Sequence, residues 1–130
     1  MSMIEKVLIV DDEDHIRRIA ELSVKNVGKW QPVTASSGPE ALELAAAEQP
    51  QVVLLDVMMP GMDGPTTHAH LQQESATAHI PVIFLTAKVQ SHEVERYLGL
   101  GAAGVIAKPF DPITLPDEIR KILEQASPRP

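Results

Sequence analysis

The sequence contains no cysteine among its 130 residues. This absence excludes a disulfide scaffold, thiolate catalysis, zinc fingers and cysteine-ligated iron–sulfur clusters. Basic residues are also scarce, because 11 lysines and arginines face 18 acidic residues and leave a formal net charge of −7. A domain of that charge is a poor partner for a phosphate backbone, so we expect no nucleic-acid binding by this domain alone.

Long apolar runs are absent as well. The longest are Val7–Val10, Val52–Leu55 and Val82–Leu85, which are far shorter than the roughly twenty residues that span a bilayer. The first ten residues do not resemble a signal peptide, because Asp11 and Asp12 end the apolar run too early. We therefore expect a soluble, cytoplasmic domain without membrane contact.

Short apolar segments alternate with segments of helical period along the chain. The strands are the three runs above together with Val33–Ala35 and Val105–Ala107, each bounded by polar residues or breakers. This alternation predicts an α/β fold with a parallel sheet and helices on both faces. At this length the natural solution is the flavodoxin-like doubly wound (βα)5 fold, a five-stranded parallel sheet in the order 2-1-3-4-5. We predict one domain over residues 1–126, with 127–130 as a tail or linker stub.

Local signals predict where the helices begin. Ser37 opens a Ser-x-x-Glu capping box ahead of the second helix, and the Gly-Pro pair at Gly64 starts the third. Ser91 is predicted to cap the fourth helix. The start of the fifth helix stays open, because Pro112 suits a first turn, whereas Pro116 would lose a hydrogen bond in a helix that began there.

Polar side chains follow four of the predicted strands. In strand order they are Asp11 and Asp12, then Asp56, Thr86, and Lys108. Strands 1 and 3 are neighbours in the predicted order, so three carboxylates converge on the edge where a doubly wound sheet carries its functional crevice.

Three adjacent carboxylates repel one another unless a proton or a cation relieves them. Lys108 supplies one positive charge, so a hard divalent cation with oxygen ligands, Mg²⁺ by preference, fits the remaining deficit. A carboxylate beside a metal, with a lysine and a threonine able to hold phosphoryl oxygens, indicates a phosphoryl-transfer site. Each residue alone has an ordinary structural explanation, and their joint placement on neighbouring strand ends favours the site.

These residues resemble the receiver domain of two-component response regulators, in its compact, single-domain chemotaxis type. The resemblance covers about residues 5–125. It rests on four motifs that each end their own strand, namely Val10-Asp11-Asp12, Leu55–Gly64, Leu85-Thr86-Ala87 and Lys108-Pro109-Phe110.

The resemblance implies that Asp56 is the phospho-acceptor, which attacks a partner's phosphohistidine and becomes an aspartyl phosphate. It also implies that Asp12 and Asp56 ligate Mg²⁺ directly, with the main-chain carbonyl of Met58 as third protein ligand. By the same resemblance, Asp11 acts largely through water.

Two further residues would respond to the phosphoryl group. By resemblance Lys108 pairs with it, and its bond to Pro109 is expected to be cis. Thr86 would swing in to hydrogen-bond a phosphoryl oxygen. This movement would shift the loop after the fourth strand and reshape the surface of the fourth helix, fifth strand and fifth helix.

The resemblance thus implies phosphorelay signalling by self-modification rather than a turnover enzyme. Its expected partners are a histidine kinase or histidine phosphotransfer protein and a downstream target protein. We expect a monomer or weak dimer, because Gly101–Val105 lacks the acidic pair that many DNA-binding regulators use in dimer salt bridges. An alternative is a receiver fragment of a longer DNA-binding regulator or hybrid histidine kinase.

Some positions depart from the family pattern. Val105 stands where many members carry an aromatic residue. A valine has no ring that could rotate between solvent and core when the domain is phosphorylated. Met58, two residues after Asp56, cannot orient attacking water, which predicts no fast self-dephosphorylation; Lys88 lies two residues after Thr86.

Other classes fit less well. An aspartyl-phosphate phosphatase would need a second acid two residues after the nucleophile, where Met58 stands. A flavin-binding electron carrier would need a hydroxyl-rich loop after the first strand instead of two acids. The segment Gly99–Gly104 has the letters of a dinucleotide fingerprint but follows a helix, so it indicates a helix C-cap and tight turn. Arg17 and Arg18 are interpreted as part of the solvated face of the first helix.

Overall fold

The computed structural model describes residues 4–126 as a five-stranded parallel sheet flanked by helices. The elements in chain order are β1 (Lys6–Val10), α1 (Asp14–Leu22, continued by a π-helical turn at Ser23–Val27), β2 (Gln31–Ala35), α2 (Gly38–Glu48), β3 (Val52–Asp56), α3 (Gly64–Gln73), β4 (Val82–Thr86), α4 (Ser91–Gly99), β5 (Gly104–Ala107) and α5 (Leu115–Ala126). The strand order β2-β1-β3-β4-β5 confirms the predicted flavodoxin-like topology. The predicted tail at 127–130 lies outside the described residues.

The sheet separates two apolar cores, because successive side chains of a strand point to opposite faces. Leu8 and Val10 belong to a core that also contains residues of α2, α3 and α4. Val7 and Ile9 belong to the other core, which α1 and α5 cover. Strands β3 and β4 are buried along their whole length, as a parallel strand covered on both faces should be. No helix within residues 4–126 is long and apolar enough to cross a membrane.

Two of the predicted helix starts are confirmed. The Ser37 side chain accepts a hydrogen bond from the backbone N–H of Glu40, and α2 begins at the next residue. Helix α3 begins at Gly64, where the Asp63 carboxylate accepts a bond from the N–H of Thr66 at 2.9 Å. Side-chain oxygens therefore satisfy N–H groups that a helix start leaves without partners.

The predicted cap of the fourth helix is wrong. Ser91 is the first residue of α4, and the N-cap is Gln90, which makes no side-chain capping bond. The open question at the fifth helix is settled by its start at Leu115. Pro116 then lies in the first turn, where an N–H would have no partner within the helix, so its lack of a donor is harmless.

The glycine-rich segment after α4 is a helix terminus, as predicted. Gly101 adopts a positive φ of 104°, and the N–H of Ala102 returns to the carbonyl of Tyr97 at 3.2 Å. A second bond joins the N–H of Gly101 to the carbonyl of Leu98 at 3.0 Å. This pair of bonds closes the helix and turns the chain directly into β5.

Candidate functional site

The three predicted carboxylates lie together at the carboxyl edge of the sheet. Strands β1 and β3 pair with Val10 opposite Leu55, so the residues that follow them, Asp11 and Asp56, are neighbours. One carboxylate oxygen from each of Asp11, Asp12 and Asp56 lies within 4.8 Å of the others. Asp11 and Asp56 are buried, and Asp12 is more exposed than either.

The ammonium of Lys108 enters this cluster from the end of β5. Its Nζ lies 3.1 Å from Oδ2 of Asp11 and 3.2 Å from Oδ1 of Asp56. The backbone N–H of Lys108 donates to the carbonyl of Thr86 at 2.9 Å, which fixes the residue beside the end of β4. The Lys108–Pro109 peptide bond is cis, as the resemblance predicted.

The surroundings of Asp56 disfavour its ionised form. Burial, followed by the charge of Asp11, raises the pKa of Asp56 from 3.8 to about 6, against the opposing effects of Lys108 and the backbone N–H of Met58. Burial lowers the pKa of Lys108, but the carboxylates of Asp11 and Asp56 outweigh it and raise that pKa overall. One ammonium therefore leaves the three carboxylates undercompensated.

Such a donor set fits a hard divalent cation. All three side chains offer oxygen ligands, and Mg²⁺ binds through one or two carboxylates together with water and phosphate oxygens. The main-chain carbonyl of Met58 follows Asp56 in the loop after β3. Met58 as a whole is 74% exposed.

Thr86 ends β4 next to the cluster, with Leu85 opposite Asp56 in the sheet register. Its side chain is buried, and its Oγ1 accepts a hydrogen bond from the backbone N–H of Lys88 at 3.0 Å. The hydroxyl is thus engaged with its own loop.

A groove of about 810 Å³ opens beside the site, between the loop after β3 and the start of α4. Met58 and Met59 line one wall, while Thr86, Lys88 and Tyr97 line the other. The groove connects the end of β4 with the body of α4.

Beneath this groove lies a buried aromatic group. The ring centroids of Phe84 and Tyr97 lie 5.0 Å apart, and the His68 ring stands nearly perpendicular to Phe84 with its centroid 5.4 Å away. Burial lowers the pKa of His68. His68 is buried whereas His70 is exposed, so the two histidines face different directions.

Two residues next to the cluster were not predicted as part of it. The Glu13 carboxylate lies 3.6 Å from Nζ of Lys108. Arg17 donates from Nη1 to the backbone carbonyl of Asp11 at 2.7 Å and pairs with Asp14. The interpretation of Arg17 as a solvated residue is therefore wrong, whereas Arg18 is exposed. The signal for these contacts in the sequence is an acidic run that is followed by an arginine one helical turn later, which was not used to predict them.

The fold and the acidic edge define a doubly wound α/β domain whose functional crevice carries three carboxylates and one lysine. The family profile described as "Response regulator receiver domain" matches residues 7–120. The chain therefore belongs to the response regulator receiver domain family of two-component systems. Receiver domains bind Mg²⁺ at an acidic pocket and interact with histidine kinases or phosphotransfer proteins, and here Asp11, Asp12 and Asp56 form such a pocket.

Relatives and solved structures agree with this assignment. The probable transcriptional regulator ycf27 of Porphyra purpurea is 42% identical over 122 residues, which cover 94% of this chain and 49% of that protein. Response regulator PleD of Caulobacter vibrioides is 37% identical over 120 residues, which cover 92% of this chain and 26% of that protein. The chain therefore spans about half the length of the first of these two proteins and about a quarter of the length of the second.

Chemotaxis response regulator CheY4 of Vibrio cholerae has the same fold, with a TM-score of 0.85 and 30% identity. The match covers 93% of this chain and 100% of that structure. This likeness is consistent with the compact chemotaxis-type form that the motifs indicate.

Proposed function

We propose that Asp56 accepts a phosphoryl group from the phosphohistidine of a histidine kinase or histidine phosphotransfer protein. A carboxylate oxygen attacks phosphorus, an O–P bond forms, the P–N bond breaks, and the departing imidazole takes up a proton. The observation that carries this proposal is the ammonium of Lys108 between two buried carboxylates, 3.1 Å from Asp11 and 3.2 Å from Asp56. The partner's histidine regains its original form, and this domain carries the modification.

The acidic cluster would hold Mg²⁺ for this reaction. Asp12 and Asp56 would bind it directly, with the main-chain carbonyl of Met58, and Asp11 would act largely through water. When bound, Mg²⁺ supplies positive charge against the phosphoryl oxygens. Burial of the Asp11 and Asp56 side chains supports the assignment, because buried charges persist when they are paired or coordinate a metal.

Lys108 and Thr86 would hold the transferred group. The ammonium of Lys108 pairs with a phosphoryl oxygen in place of Asp56, and the hydroxyl of Thr86 donates to another. Thr86 gives up its bond to the N–H of Lys88 in doing so, which frees the β4–α4 loop. Partner binding at the α4-β5-α5 surface would respond to this movement.

The unit that performs this function is the domain over residues 1–126, with 127–130 as a tail or linker stub. We propose a cytoplasmic domain that acts as a monomer or weak dimer and passes the signal to a downstream target protein. It would contact neither nucleic acid nor membrane itself. A receiver within a longer DNA-binding regulator or hybrid histidine kinase is the second candidate, favoured by relatives that extend to about twice the matched length or more.

The direct test is intact-mass spectrometry after incubation with acetyl phosphate and Mg²⁺. We expect one phosphoryl increment in the wild type and none in Asp56→Asn or in the presence of a chelator. If the wild type stays unmodified, the assay is repeated with a phosphorylated histidine kinase. An unmodified wild type with both donors, or an equal increment in Asp56→Asn, would refute the assignment of Asp56.

A second assay, with p-nitrophenyl phosphate in place of acetyl phosphate, separates a receiver from a phosphatase. A receiver holds one phosphoryl group per chain as an aspartyl phosphate, whereas a phosphatase releases inorganic phosphate continuously from a monoester. The position two residues after Asp56 holds Met58, which has no group that could protonate a leaving alcohol. Continuous release from p-nitrophenyl phosphate would therefore contradict the receiver assignment.

A further inference from the structure

Lys108 has a third carboxylate partner besides the two buried aspartates. Oε1 of Glu13 lies 3.6 Å from its Nζ, compared with 3.1 Å for Asp11 and 3.2 Å for Asp56. The Glu13 side chain is 52% exposed, whereas Lys108 is only 15% exposed. Glu13 therefore meets the ammonium from the solvent side, at the entrance of the site.

The local backbone explains why Glu13 reaches in this direction. Glu13 occupies the N-cap position of α1, yet its side chain makes no capping hydrogen bond. Glutamate is not among the preferred residues at this position, which are serine, threonine, aspartate and asparagine. Its backbone N–H donates to Oδ1 of Asp11 at 2.9 Å, and its carbonyl accepts from the N–H of Arg17 at 3.0 Å. The main chain is thus fixed, and the carboxylate is left to contact Lys108.

Glu13 differs from the other two partners in one respect. Asp11 and Asp56 belong to the group of carboxylates whose oxygens lie within 4.8 Å of one another, and Glu13 does not. Once Asp11 and Asp56 engage a divalent cation, their charge is compensated and Glu13 is the remaining carboxylate beside the ammonium. A lysine without a fixed partner would populate several rotamers, which lowers the fraction ready for an incoming phosphoryl group.

We propose that Glu13 is a positioning residue that holds the Lys108 ammonium at the entrance of the site. This inference rests on the proposed function of Asp56. The contact between Glu13 and Lys108 forms before phosphoryl transfer, and it breaks when Lys108 pairs with the phosphoryl oxygens.

The contact itself is testable without metal or phosphoryl donor. The side-chain ¹⁵Nζ and ¹³Cε resonances of Lys108, assigned through their loss in Lys108→Arg, are recorded in chelator for the wild type, Glu13→Gln and Glu13→Asp. Both variants should shift these resonances, because glutamine lacks the charge and aspartate is too short. Glu21→Gln, which removes a carboxylate that pairs with Arg18 on the same helix, is the matched control and should not shift them. Resonances unchanged by both Glu13 variants would overturn the proposal.

The kinetic test separates positioning from a general effect of charge. With acetyl phosphate and Mg²⁺, the maximal rate should fall about two- to fivefold in Glu13→Gln and in Glu13→Asp, the range open to a partly exposed ion pair. Glu21→Gln should match the wild type. If Glu13 acted only through its charge, Glu13→Asp would behave like the wild type, and Glu13→Gln would change only the KM for the anionic donor. That outcome would also overturn the proposal.

The two tests distinguish failure of this inference from failure of the proposed function. Circular dichroism and thermal unfolding serve as controls for folding. We expect the Glu13 variants to fold, because the Glu13 side chain is 52% exposed. If the wild type takes up no phosphoryl group, the function of Asp56 fails while the Lys108 resonances still report the contact. If the wild type is modified and both variants react at its rate, the function stands and the role of Glu13 falls.

Discussion

Removal of the Asp56 charge should make the protein more stable at neutral pH. In the folded chain, burial and then the charge of Asp11 raise the pKa of Asp56 to about 6, while an unfolded aspartate ionises near its ordinary value of 3.8. The folded state therefore binds a proton more tightly. The stability that this group contributes is full below pH 4 and is lost as pH rises through 6.

The size of the effect follows from this difference. Two pKa units correspond to about 3 kcal/mol between the two protonation states. Because the groove admits water beside the site and Lys108 loses one partner in Asp56→Asn, we expect about 1–2 kcal/mol of added stability at pH 7. The advantage should be small at pH 4, grow between pH 4 and 6, and stay constant above pH 7.

Urea unfolding followed by the fluorescence of Trp30, the only tryptophan, measures this directly. Wild type and Asp56→Asn are compared from pH 4 to pH 8 in chelator, with Asp117→Asn on the exposed surface of α5 as a control that should show no such rise. Mg²⁺ at pH 7 should narrow the gap, because a ligand stabilises most the form that binds it best. A variant less stable than the wild type at pH 7, or a difference independent of pH, would refute the electrostatic reasoning.

Three other changes test the packing and the chemistry around the site. A methyl group at Gly64 would lie 2.5 Å from the carbonyl oxygen of Asp56 and against backbone that cannot yield, so Gly64→Ala should lower the unfolding free energy by about 2–4 kcal/mol. Gly61→Ala, where φ is 76° and the space is open, should cost about 1–2 kcal/mol in the same urea titration. Tyr97→Leu removes a buried ring and should destabilise by about 1–3 kcal/mol, again by urea unfolding, without abolishing phosphorylation. Met58→Asn should shorten the lifetime of the aspartyl phosphate, followed by loss of the mass increment, because an amide can orient water, and an equal effect of Met58→Ala would contradict this reason.

The fold was predictable from the sequence because its strands are short and most of them are built on continuous apolar runs. Apolar, β-branched runs indicated all five strands, and their alternation with helices predicted a parallel sheet. The strand order was taken from the usual doubly wound arrangement at this chain length, and the structure confirms it. The signals that failed were weaker. Ser91 has the right chemistry for a cap but sits one residue inside the helix. The first helix follows its apolar period to Val27, but its last turn is π-helical, which periodicity alone does not distinguish.

The core of the site was predictable for a different reason. Strand ends in a parallel sheet meet at one edge, so the position of Asp11, Asp56 and Lys108 follows from topology alone. Glu13 and Arg17 were missed because long flexible side chains can turn toward solvent or toward a neighbour at little difference in energy. Only the location of Lys108 and of the Asp11 carbonyl decides between those directions.

If Asp56 is phosphorylated as proposed, the contacts of β4 and α4 offer a route for the signal that does not need a ring at position 105. Val105 lies opposite Phe84 in the sheet register, and the buried Tyr97 ring packs on Phe84 from α4. Thr86 lies two residues beyond Phe84 on the same face of β4, and its hydroxyl holds the N–H of Lys88. In the proposed mechanism, movement of Thr86 toward Asp56 would free the loop that leads into α4 and change the groove that Tyr97 lines. We expect the response to phosphorylation to appear first in the β4–α4 loop and α4, because these elements share both the broken hydrogen bond and the aromatic contact.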